Sequence, residues 1–71
     1  MIEEAFKNVA PYISELNKVR EFVEAHRDMP FDEVIAELEN EIEKANIPLK
    51  TDFKILLTEM ERLMRERMQD V

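Results

Sequence analysis

Carboxylates are the most abundant side chains in this sequence that could take part in catalysis or metal binding. Seventeen of its 71 residues are Asp or Glu, whereas it has one histidine, His26, and no cysteine. A di-iron site in a helical bundle requires Glu-x-x-His pairs that point inward, but the residue three positions before His26 is Val23. Structural zinc sites draw on several Cys and His ligands. We therefore predict no metal site and no cofactor.

Nucleophilic and phosphate-binding chemistry is equally unsupported by the residue pattern. Ser14 stands among helix-forming residues, not on the glycine-flanked turn that exposes a catalytic serine, and no orienting acid accompanies His26. The chain contains no glycine, so it has neither a Walker phosphate loop nor a dinucleotide-binding fingerprint. We predict that the protein is not an enzyme.

The carboxylates must be positioned by helices, because the composition favours helix throughout. Apolar residues make up 45% and charged residues 38% of the chain, which is too apolar for a disordered protein. The length predicts a single domain over residues 1–71. No apolar run approaches the ~18 residues of a membrane span, and a signal-peptide pattern is not evident at the start. We expect no membrane association and a cytoplasmic location.

The first helical segment, about 2–27, has an apolar stripe that continues across Pro11. Ile2, Phe6, Val9 and Ile13 belong to this stripe at helical spacing, and Tyr12 lies beside them. Proline inside a helix removes a backbone donor and clashes with the preceding turn. The segment is therefore predicted to be either one helix kinked at Pro11 or two helices, 2–9 and 11–27, that share one face.

Two further amphipathic segments follow, about 30–45 and 52–68. Pro30 suits a first helical position, and Thr51 is predicted to be the N-cap of the last helix, with Asp52 favouring its positive end. Short connections favour antiparallel neighbours. The predicted fold class is all-α, a small three-helix antiparallel bundle that becomes a four-helix bundle if Pro11 splits the first segment.

The net charge of −7 comes mostly from the second segment, since residues 31–46 carry six acids and one base. Like charges four residues apart on a helix repel each other, yet this segment repeats such pairs. A solvated surface that keeps the protein soluble is one interpretation, and a docking face for a basic protein is the other. The acidic balance opposes direct binding of nucleic acid. The candidate partner-binding acids are Glu33, Glu37, Glu41 and Glu43.

Three apolar residues are further candidates for a contact surface. On a helical wheel, Phe22 lies to one side of its stripe, and Ile55 lies nearly opposite the stripe of the third segment. Met68 ends an i,i+4 methionine ladder, and methionine adapts to irregular partner surfaces. Each of the three also fits ordinary core or bundle packing. A contact surface would favour a homodimer over a strict monomer.

The function predicted first is a small acidic, non-enzymatic interaction module that acts as an inhibitor, adaptor or regulator. The compact acidic helical format resembles, in architecture alone, immunity proteins, antitoxins and small phage proteins. One alternative is a structural homo-oligomeric helical subunit. A second alternative is an acidic mimic that blocks a nucleic-acid-binding protein.

Overall fold

The computed structural model describes residues 1–68, of which about 82% are helical and none forms a strand. The elements in chain order are α1 (Ile2–Val9), a 3₁₀ turn (Ala10–Tyr12), α2 (Leu16–His26), α3 (Phe31–Lys44) and α4 (Leu49–Met68). The prediction of an all-helical fold is confirmed. Within the described residues, no helix combines the length and the apolar character needed to cross a membrane.

The chain breaks at Pro11, so the two-helix alternative for the first segment is the one observed. The α-helix stops at Val9, and Pro11 occupies the 3₁₀ turn, where its missing N–H interrupts no α-helical hydrogen bond. Ile13 is then extended, with φ −94° and ψ 130°. This extended residue delays the next helix, so α2 begins at Leu16 and not at the predicted position 11.

The boundaries of α3 and α4 differ from the predicted ones by one to three residues. Pro30 is the N-cap of α3 and not its first helical residue. Helix α4 begins at Leu49, so the prediction of Thr51 as N-cap is wrong. The backbone N–H of Lys50 already donates to the Asn46 carbonyl at 3.0 Å. Because α4 begins before Asp52, the Asp52 carboxylate does not cap this helix. It accepts hydrogen bonds from the chain that leads into α2.

A single apolar core joins the four helices, and α4 packs against each of the other three. Its centre is formed by side chains with no exposed surface, including Leu38 of α3 and Leu56 of α4. The predicted stripes therefore face inward. The buried apolar residues are Ile2, Ala5, Val9, Val19, Phe22, Val23, Val34, Leu38, Phe53, Leu56, Met60 and Leu63.

Candidate functional site

Helix α3 places its six acids along both sides of its apolar stripe. Glu33, Glu37 and Glu41 follow one another at single-turn spacing on one side, and Glu39 and Glu43 form a similar pair on the other. Glu41 is half-buried, whereas the others are exposed. We call the set the acidic face; it comprises Asp32, Glu33, Glu37, Glu39, Glu41 and Glu43.

The charge of the acidic face is not neutralised within residues 1–68. The ion pairs found there join Lys18 to Glu15, Arg62 to Glu59 and Glu66, and Arg67 to Glu4, so none includes an acid of α3. In that same part of the chain, no three His, Cys, Asp or Glu side chains are grouped to hold a metal ion. The four predicted acids therefore lie unpaired on α3, with Glu33, Glu37 and Glu41 on one side of its apolar stripe and Glu43 on the other.

Glu59 of α4 shows the opposite situation, a carboxylate with several donors. Arg62 donates from Nε to Oε1 at 2.8 Å and from Nη2 to Oε2 at 2.7 Å, and Asn8 of α1 donates to Oε2 at 2.8 Å. The Arg62 hydrogen bonds, followed by the Asn8 hydrogen bond, lower the pKa of Glu59 from 4.5 to about 2. Glu59 in turn raises the pKa of Arg62. The charged carboxylate thus links α1 to α4.

This network predicts a loss of stability in acid. The pKa of Glu59 is lower in the folded chain, at about 2, than its ordinary value of 4.5. Its contribution is therefore complete above pH 4.5 and is lost as the pH falls from 4.5 toward 2. Thermal unfolding across this range should show a smaller decline for Glu59→Gln than for the unmodified chain. Parallel declines would show that Glu59 does not carry the effect.

Asp52 is the one buried charged residue in the described part of the chain, with 1% of its surface exposed. Its Oδ1 accepts the backbone N–H of Ser14 at 3.0 Å, and its Oδ2 accepts that of Glu15 at 2.7 Å. These amides precede the first turn of α2, close to the positive end of its dipole. Asp52 of α4 therefore fixes the entry into α2. Sequence reasoning missed this role, because no local signal relates positions so far apart.

The three apolar candidates have very different environments. Phe22 is a core residue, 8% exposed, whose ring stacks on His26 at 4.0 Å between centroids and lies 5.3 Å from that of Phe53. It is therefore not available on the surface for a partner. Ile55 is half-buried and packs against the core, whereas Met68 is 69% exposed.

An open groove lies between the end of α1 and the first half of α4, with a volume of about 350 Å³. Val9 and Ile55 are its apolar lining residues, and the others are Thr51, Lys54, Thr58 and Glu59. Tyr12 follows Val9 by one turn and is 72% exposed. The sequence singled out Ile55 for a contact surface but placed Tyr12 beside the apolar stripe of the first segment. That placement of Tyr12 is wrong, because the α-helix stops at Val9 and the stripe does not continue through the 3₁₀ turn.

Comparison with known proteins relates the chain to a protein family. No curated protein and no solved structure matches the chain. Residues 1–65 match the model of the MJ1579 family, which covers α1 to α3 and most of α4. Because this match extends over nearly the whole sequence, the chain belongs to the MJ1579 family.

Proposed function

We propose that this protein is a small non-enzymatic interaction module that binds a basic protein through the acidic face of α3. It would act as an inhibitor, adaptor or regulator of that partner. The observation that carries the proposal is the unpaired charge of α3: six acids on one helix, none in an ion pair within residues 1–68. Two bases of α4, Arg62 and Arg67, are by contrast paired with acids.

The energetics of α3 support a role beyond local stability. Glu33–Glu37, Glu37–Glu41 and Glu39–Glu43 are like-charge pairs at i,i+4, and each costs roughly 0.2–0.5 kcal/mol. A basic partner would relieve this repulsion on binding. Such complementary charge mainly accelerates encounter and selects the partner, and both effects weaken as salt increases.

The double variant Glu37→Gln with Glu41→Gln tests the proposal. Because it removes repulsion, its free energy of unfolding should be unchanged or higher by a few tenths of a kcal/mol. Its association with the basic partner should be slower at low salt, and the difference should shrink at high salt. Stopped-flow or biosensor association rates at two salt concentrations measure this.

A matched control is the double variant Glu21→Gln with Glu24→Gln, which removes two exposed charges from α2. The net charge changes equally in both double variants, so a general charge effect would slow both. If only the α3 variant associates more slowly, the partner binds through the acidic face of α3. Equal association rates for the α3 variant and the unmodified chain at low salt would show that the acidic face is merely solvated.

The alternatives have their own tests. A structural homo-oligomer would lose its fold when it is diluted to the monomer, whereas an interaction module would stay folded. An acidic mimic would compete with DNA for its target. We also propose that α1 and α4 run antiparallel, supported by two contacts: Glu4 pairs with Arg67, and Asn8 with Glu59. A single domain and a cytoplasmic location stay predictions from the sequence.

A further inference from the structure

The groove between α1 and α4 lies near the 3₁₀ turn that carries the exposed Tyr12. Val9 and Ile55 line the groove, and Tyr12 stands on the 3₁₀ turn that continues from α1. The carboxylate at the rim, Glu59, already accepts hydrogen bonds from Arg62 and Asn8. A ligand for this groove would therefore be an apolar or aromatic group and not a cation seeking Glu59.

The charge distribution restricts which macromolecule can supply that group. Helices α1 and α4 together carry six acids and six bases, whereas α3 carries six acids and one base. A second copy could therefore meet the α1–α4 side without net repulsion at the contact. Contact through α3 would bring two acidic faces together, which costs free energy.

We propose that the groove is the self-association site of this protein, occupied by Tyr12 of a second copy. A two-fold contact uses the same patch on both chains, and this patch contains the groove and, one turn after Val9, the exposed Tyr12. Tyrosine is enriched among the residues that dominate interface energies. The acidic face of α3 stays open in such a dimer, so this inference does not rest on the proposed function.

Analytical sedimentation of the full chain tests the inference by measuring its molecular mass. The protein concentration should range from roughly 1 µM to 1 mM, which suits the weak dimers formed by small interfaces. Tyr12→Ser removes the aromatic group, and Thr58→Arg fills the groove from an exposed position of α4. Each should raise the dimer dissociation constant at least about tenfold. Ile47→Ser is the matched control, because Ile47 is 78% exposed but does not line the groove.

Three results would overturn the inference. The first is monomer mass for the unmodified chain at every concentration. The second is a dimer that both Tyr12→Ser and Thr58→Arg leave intact. The third is an Ile47→Ser variant that weakens the dimer as much as Tyr12→Ser does. Far-ultraviolet circular dichroism confirms that each variant is folded, so that loss of the dimer reports on the contact.

Discussion

Replacing Asp52 with alanine should lower the free energy of unfolding by about 3 kcal/mol. The carboxylate accepts two backbone hydrogen bonds from the entry into α2, and the side chain is almost fully buried. Alanine leaves both the Ser14 and the Glu15 N–H without this acceptor. Urea denaturation followed by circular dichroism measures the change.

Two matched variants identify the cause of that loss. Thr51→Ala, at an exposed neighbouring position of α4, should change the free energy of unfolding by less than about 0.5 kcal/mol. Asp52→Asn retains one carbonyl acceptor, so its cost should fall between those of the two alanine variants. If Asp52→Ala unfolds at the same urea concentration as the unmodified chain, the two hydrogen bonds do not stabilise the fold.

Replacing Leu56 with alanine should cost about 3–4 kcal/mol, because it leaves a cavity in the core. Leu56 has no exposed surface, whereas the adjacent Leu57 is half-buried. The same substitution at Leu57 should cost less than half as much, because solvent already reaches that side chain. Equal costs in urea denaturation would contradict the observed orientation of α4.

The helices could be predicted from the sequence because their apolar spacing is regular. Pro11 marks the position of the break, but the apolar stripe keeps its helical phase across it. Periodicity alone therefore left a kinked helix and two helices equally open. The structure resolves the choice: Ile13 is extended and packs against the core, so the helix does not continue through it.

The start of α4 shows a second limit of local reasoning. Thr51 followed by Asp52 has the residue types of a helix start, which gave the predicted boundary. In the structure, Asp52 satisfies amides 37 and 38 residues away. Residue preferences describe a segment and its immediate neighbours, so they carry no information about a partner at this distance.

The acidic face followed directly from spacing, since i,i+4 acids on any helix align. The environments of the apolar candidates Phe22 and Ile55 could not be predicted from spacing in this way. The helical wheel left Phe22 beside its stripe, but α2 is short and its Phe22 packs on His26 and Phe53. The wheel cannot show which neighbouring helix covers a side position. For the same reason, the groove at Ile55 could not be located before α1 was placed beside α4.

The Asp52 hydrogen bonds also bear on the order in which the chain acquires its structure. Helix α2 has 11 residues, fewer than the ~12–15 that an isolated helix needs to persist in water. Its entry is held by a residue of α4, which is synthesised later. The amino-terminal half emerging from a ribosome therefore lacks the group that fixes α2, and the entry into α2 must wait for the start of α4, where Asp52 lies. In this sense the start of a short local helix depends on a contact between residues 37 and 38 positions apart.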